Sequence, residues 1–393
     1  MMNIILFDSP EAKKNLLPLS FTRPLADFRI GITTIREKWE KILPGTYSYL
    51  TDDYLAPKYP VIEAEDSIFI AGNVCPDYNE KFAAKVKNLR QGQALTGADG
   101  TLLAFRGERG QFEDINFNDV TSWSTELTTI NQLYDIFLSN GKQIEADFAV
   151  IDKSDSQPLS PSNRLIGDPD ALYIAPGAKV EGAILNAGHG PIYIGSDAEV
   201  MEGCCLRGPI ALGTHGVINM GTKVYPDTTI GPWCKVGGEL NNVVMFGFSN
   251  KAHDGFLGNA VIGEWCNLGA GCVASNLKND YTPIKLWNYP LHRFLKTGLQ
   301  FCGLIMGDHS KAGINTMFNT ATVVGVGCNI HGSGFPRNFI PSFSEGGAAG
   351  LSDVSLDKFF AIAERVMARR GKALTAIDRD IFEEIASIAE TYK

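Results

Sequence analysis

The residues best equipped for chemistry lie together in Asn250-Lys251-Ala252-His253-Asp254-Gly255-Phe256-Leu257-Gly258 and in Asn267-Leu268-Gly269-Ala270-Gly271, closing at Ser275-Asn276. A histidine titrates near neutrality, so His253 can take the proton of an amine that must be neutral before it attacks an acyl carbon. Most loop histidines merely face solvent or hold a structural hydrogen bond. What distinguishes His253 is its setting, which His189, His215, His292 and His331 lack; His309, in Gly-Asp-His-Ser, is the only other one of interest. Just downstream, Lys278, Lys285, Arg293 and Lys296 share a stretch with Asn, Tyr and Trp and offer charge to phosphates. Near the N-terminus, Arg23 and Arg29 in Leu19-Ser20-Phe21-Thr22-Arg23-Pro24-Leu25-Ala26-Asp27-Phe28-Arg29 could pair with phosphates or serve as ordinary ion-pair partners.

The elements that must hold these residues are announced by a repeat. From Ile194 every sixth residue is aliphatic: Ile194, Val200, Leu206, Leu212, Ile218, Val224, Ile230 and Val236. Gly195, Gly213 and Gly231 follow every third of them, so the unit is 18 residues built from three hexads. The pattern returns at Ile262-Gly263, Leu268-Gly269 and Ala274, then from Met306-Gly307 to Ile330, with a trace at Ile174 and Val180. Six residues match neither a helical nor a strand period; they match a prism with three flat faces, each hexad laying one short strand and turning a corner. The aliphatic residue points inward, and glycine is expected to take the unusual corner dihedral. The period breaks over 238–260 and 275–303, and these breaks read as loops extruded from the solenoid, where sites usually lie.

Composition agrees with a packed chain. Of 393 residues, 44% are hydrophobic and 20% charged, which excludes wholesale disorder. The net charge of −9, without a Lys/Arg block, argues against nucleic-acid binding. No apolar run is long enough for a membrane span, and Met1-Met2-Asn3-Ile4 lacks a basic leader, so a cytoplasmic location is expected. The 8 cysteines form no C-x-x-C pair and read as reduced apolar residues. Residues 1–145 read as a mixed α/β domain, with strands at Ile4–Phe7, Ser67–Ala71 and Thr101–Phe105 and helices at Ile30–Lys41 and Ile130–Asn140. A linker over 146–164, the solenoid over 165–340, a flexible Ser-Phe-Ser-Glu-Gly-Gly-Ala-Ala-Gly link and a two-helix tail over 353–392 complete the expected order. The apolar stripes of the tail helices suit packing on the solenoid or on a sister chain.

The motif order K-A-H, L-G-x-A-x-x-G, N-L-G-A-G and N-L, continued by Gly307-Asp308-His309-Ser310-Lys311, resembles the acetyltransferase half of GlmU-type enzymes over about 165–340. That family N-acetylates glucosamine 1-phosphate from acetyl-CoA and uridylylates the product, supplying UDP-N-acetylglucosamine for cell-wall synthesis. The resemblance implies a left-handed parallel β-helix, a homotrimer with sites shared between chains, and no membrane partner. It makes His253 the general base and Ala270 the donor of a backbone N–H to the thioester oxygen. It places Asn267 and Asn276 on the sugar, Lys251 on the sugar phosphate beside Lys278 and Lys285, and Ser310 on the CoA arm. Two positions depart from the family: its tyrosine three residues after the histidine is Phe256 here, and its lysine three before stands two before, at Lys251.

In such enzymes a nucleotidyltransferase domain precedes the solenoid, its glycine-rich G-x-G-T-R loop cradling the triphosphate of UTP or dTTP. Here Asn3–Phe7 runs into Asp8-Ser9-Pro10-Glu11-Ala12, without those glycines. Arg23 and Arg29 remain as nucleotide-binding candidates, and Asn73 in Gly72-Asn73-Val74-Cys75-Pro76 stands where the family has an Mg²⁺-binding aspartate. The leading expectation is acetyl-CoA-dependent N-acetylation of an amino-sugar 1-phosphate, with nucleotidyl transfer as a second activity. Two alternatives stand beside it: a uridylyl- or thymidylyltransferase with the solenoid as a trimerising stalk, and a non-catalytic regulatory or assembly subunit.

Overall fold

The computed structural model describes residues 2–115 and 117–393; Met1, which opens the N-terminal stretch read above, lies outside them. The chain forms two compact units, one of Met1–Leu16, Thr22–Phe28 and Thr33–Gln132, the other of Leu17–Phe21, Arg29–Ile32 and Leu133–Lys393. The break therefore falls at Gln132, ahead of the expected boundary at 145. The Leu133–Ala149 helix goes with the second unit because its polar side chains are spent there. Asn140 accepts from the Gly31 amide at 2.7 Å and from Thr229 Oγ1 at 3.1 Å, and donates to Asp227 O at 2.8 Å.

The first unit is built on a six-stranded sheet in the order Thr46–Leu50, Asn3–Phe7, Ser67–Ala71, Leu102–Gly107, Gln93–Gly97, Asp119–Trp123. The first three strands run parallel, and Leu102–Gly107 pairs antiparallel with both of its neighbours. Ile4, Ile5, Phe69, Ile70 and Phe105 are fully buried, as strands covered on both faces require. Helix begins only at Ile35, where Thr34 and Glu37 form a capping box, so the earlier start expected at Ile30 is overruled.

The second unit is a parallel β-helix. One face stacks Lys179–Val180, Glu199–Val200, Val217–Ile218, Lys235–Val236, Asn250–Lys251, Asn267–Leu268, Lys311–Ala312 and Asn329–Ile330. All eight aliphatic residues of the Ile194–Val236 series are at most 2% exposed and belong to one continuous core. The expected architecture, an α/β unit, then a hexapeptide-type parallel β-helix and C-terminal helices, is the one the chain adopts.

Three local expectations change. Gly195, Gly213 and Gly231 do not carry the unusual dihedral; a Cβ there would lie 2.7, 2.7 and 2.2 Å from the backbone of the next coil, so glycine is needed for close stacking. The left-handed dihedral falls two residues later, on His215, Trp233, Phe248, Trp265 and His309, at φ between 53° and 61°. Such a conformation costs about 1–2 kcal/mol for a residue with a side chain. Aromatic stacking of about 0.5–1.5 kcal/mol per pair offsets much of that cost. Ring centroids are 4.1 Å apart for His215–Trp233 and 4.2 Å for Phe248–Trp265.

The 238–260 break is not an extruded loop. Glu239–Gly247, Asn250–Lys251 and Phe256–Glu264 continue the coil, shortened so that Ile230 pairs with Met245 and Val236 with Lys251. The 275–303 break does leave the solenoid, as a hairpin of Lys285–Asn288 and Arg293–Lys296. The Gly-Gly-Ala-Ala-Gly segment is a second hairpin, Ser344–Gly347 against Gly350–Asp353, that extends the sheet instead of forming a flexible link. Two capped helices follow, Leu356–Ala368 and Ala376–Ala389, their Phe359 and Phe382 meeting His309 edge-on at 5.6 and 5.2 Å.

Candidate functional site

The face that stacks Val236, Lys251, Leu268 and Ala312 inward turns their preceding neighbours outward, because side chains alternate along a strand. Lys235, Asn250, Asn267 and Lys311 therefore form a polar column on four consecutive coils. This column lines a cavity of about 490 Å³ in the second unit. His253 and Ala252 border it from the corner, Phe248 and Trp265 form an aromatic wall, and Ile362, Val366, Arg369 and Arg370 close it from the Leu356–Ala368 helix and the turn after it.

Of the residues singled out in the sequence, His253 and Asn267 meet in this cavity. His253 is exposed, and its imidazole has no hydrogen-bond partner among the described residues. No carboxylate orients the ring, so its position depends on the backbone. Ala270 occupies the same corner one coil on, where Gly271 N donates to Asp254 O at 3.1 Å. Asn276 is outside the cavity, its amide donating to Asn259 Oδ1 at 2.8 Å. Lys278 and Lys285 belong to the extruded segment and do not line it either.

Two assignments are corrected. Lys251, expected on a sugar phosphate, is 1% exposed in the inward column, its Nζ donating to Gly237 O at 3.1 Å and His253 O at 2.5 Å. Ser310, expected on a CoA arm, is 0% exposed; its hydroxyl donates to Gly325 O at 2.6 Å and accepts from Cys328 N at 3.0 Å. Neither side chain can reach a ligand outside the coil.

Lys235, Asn250, Lys311, Arg369 and Arg370 received no role from the sequence, yet the first three carry a legible signal: each precedes an inward residue of one face. Burial pushes the Lys311 amine down to about 8, and it donates to His309 O at 2.6 Å. Arg370 reaches Asn250 Oδ1 at 3.4 Å, and its buried Nε has no hydrogen-bond partner. A cavity with cations, carboxamides and an imidazole can hold an oxyanion, hydroxyls and a transferable proton together.

In the first unit the turn after Asn3–Phe7 is closed by an ion pair. Lys13 Nζ lies 2.8 Å from Asp8 Oδ2 and also donates to Arg23 O at 3.0 Å. Asp8 further accepts from Leu25 N at 2.7 Å and Thr51 Oγ1 at 2.5 Å. No amide cradle opens there. Arg23 is buried, and Arg29 belongs to the second unit, where it donates to Phe246 O at 3.1 Å and Ile32 O at 2.7 Å. Arg29 is thereby built into the fold. Asn73 lines a separate cavity of about 350 Å³ with Trp123, Asn131, Asp99 and Glu126, and donates to Asn131 Oδ1 at 2.8 Å.

Asn73 and Asp8 are poor ligands for the Mg²⁺ that the resemblance makes possible in this unit. Asn73 brings no charge, and Asp8 is taken by Lys13.

Residues 4–156 match a family model described as sugar nucleotidyl transferase. The chain is also 36% identical over 81 residues to the bifunctional protein GlmU of Methanocaldococcus jannaschii, a match covering 21% of this chain and 19% of that protein. Its likeness is to GlmU-type proteins. The GlmU of Micrococcus luteus is 25% identical over 193 residues, 47% of this chain and 34% of that one. The bifunctional sugar-1-phosphate nucleotidylyltransferase/acetyltransferase of Sulfurisphaera tokodaii is 29% identical over 145 residues, covering 36% and 35%. The chain thus spans about a fifth to a third of the length of these GlmU-type relatives. Among solved structures, an Arabidopsis UDP-N-acetylglucosamine acyltransferase aligns at 15% identity over 60% of this chain and 82% of that one, with a TM-score of 0.23. A likeness that slight adds nothing to the strand pairing described above. No described helix is long and apolar enough to cross a membrane.

Proposed function

We propose that the solenoid is an acyltransferase that moves an acetyl group from acetyl-CoA to the amine of a sugar 1-phosphate, glucosamine 1-phosphate being the substrate suggested by the likeness to GlmU. The observation that carries this reading is the convergence of His253, Asn267 and four cationic side chains on one cavity. The amine nitrogen forms its bond to the thioester carbon while His253 takes the amine proton; the C–S bond breaks, and the leaving thiolate regains a proton from His253. Ala270, at the same corner, would offer its N–H to the developing oxyanion; such a donor contributes about 3 kcal/mol. Asn250 and Asn267 hold sugar hydroxyls, and Lys235, Lys311, Arg369 and Arg370 hold the phosphate. A homotrimer belongs to the same reading, with a scattering mass of three chains as its check.

Acetyl-CoA with glucosamine 1-phosphate should release CoA, detected as free thiol, and omission of the amine should abolish the release. No amine-dependent release from any hexosamine 1-phosphate refutes the reading. The family match over 4–156 favours a second activity, nucleotidyl transfer from UTP or dTTP. It is tested by pyrophosphate release, and absence of release with both nucleotides leaves the first unit a binding or assembly module.

A further inference from the structure

Lys251 stands in the inward column, opposite Val236 and one coil before Leu268, where the period calls for an aliphatic side chain. Among the described residues no carboxylate is in ion-pair contact with its ammonium, although an unpaired buried charge is among the costliest groups a fold can hold. Val or Leu at this position would pack the coil without that cost. The compensation is found in the corner that follows. Four successive carbonyls of that corner are each engaged: Ala252 O by Asn219 Nδ2 at 2.8 Å, His253 O by Lys251 Nζ at 2.5 Å, Asp254 O by Gly271 N at 3.1 Å and Gly255 O by Glu239 N at 3.1 Å. The same Nζ also reaches Gly237 O, on the preceding coil, at 3.1 Å.

We infer that Lys251 is a positioning residue, whose ammonium ties the backbone of His253 to the preceding coil from inside the solenoid and so fixes where the imidazole stands. The ring has no side-chain partner to orient it, and the carbonyl of its own residue is what Lys251 grips. This role rests on the acyltransferase reading only for its catalytic consequence; the tethering itself is independent of it.

The test compares the full chain with Lys251→Met, whose unbranched apolar side chain suits the column, and with Lys251→Leu should methionine not fold. Hydrogen exchange at the amides of Gly237, Glu239 and Gly271, which donate to this corner, should quicken at least tenfold while amides elsewhere in the solenoid keep their protection. CoA release should lose about tenfold in kcat with little change in KM. In a His253→Ala background Lys251→Met should cost nothing further, because its effect passes through the missing ring. Unchanged exchange at the corner overturns the inference, as does an equal loss of turnover in both backgrounds. Should the unaltered protein release no CoA at all, the acyltransferase reading fails, and exchange alone decides the tether.

Discussion

Lys13 in the first unit and Lys251 in the second are both withdrawn from solvent, at 5% and 1% exposure, yet they keep different company. Lys13 faces a carboxylate, Asp8, 2.8 Å away, and the pair fills the turn where a phosphate would need open amides. Lys251 has only carbonyls, and one of them belongs to the histidine of the cavity. A paired buried lysine closes a site; an unpaired one, held by the backbone it organises, supports a site beside it. The first unit thus has no open phosphate loop after its first strand, while the solenoid carries a cavity lined by cations, carboxamides and an imidazole.

The widest separation between the two lysines should appear in stability. Lys13→Met leaves Asp8 buried without its counter-charge and should destabilise the first unit by about 3–5 kcal/mol in urea unfolding. Lys251→Met leaves no orphaned charge and should be neutral or stabilising in the same assay. Equal losses would break the comparison.

A smaller effect is expected at the cavity wall. Arg370→Ala should raise the KM for the sugar phosphate about tenfold, roughly 1.4 kcal/mol, with kcat held, because a charge-assisted contact would be lost from binding. A fall in kcat alone would place Arg370 elsewhere in the reaction.

The smallest effect is a slope. The Lys311 amine sits at about 8 in the folded chain against 10.5 for an ordinary lysine, so the unfolded chain binds more protons between those values. Stability should rise with pH from about 8 toward 10.5, the burial penalty being complete below 8. Lys311→Met should flatten that segment of the stability–pH curve, and an unaltered slope would locate the effect in another group.

Most of the solenoid was legible in the sequence because its core obeys one simple rule: Ile194 to Val236, at six-residue steps, all point inward. The rule also hid something. After Val236 the coil shortens, the count loses phase, and Lys251 falls on an inward position that the hexads no longer mark. Its neighbourhood to His253 then suggested a ligand contact, when the side chain runs the other way. The glycines were placed correctly and explained wrongly, since contact between coils, which a one-dimensional count does not contain, is what demands them. Arg369 and Arg370 lie far along the chain from His253, and only the packing of the last helices brings them to the cavity. In the first unit, Asp8 to Ala12 could be read as lacking glycines, but the ion pair of Asp8 with Lys13 could not, because it depends on the turn that Thr51 and Leu25 complete.

The most direct measurement is single-turnover CoA release from acetyl-CoA and glucosamine 1-phosphate by the unaltered chain and by His253→Ala. Loss of the general base should slow release by about 10²–10⁴-fold, with thioester binding retained. A His253→Ala protein that releases CoA at the unaltered rate contradicts the assignment of the cavity as the acyl-transfer site.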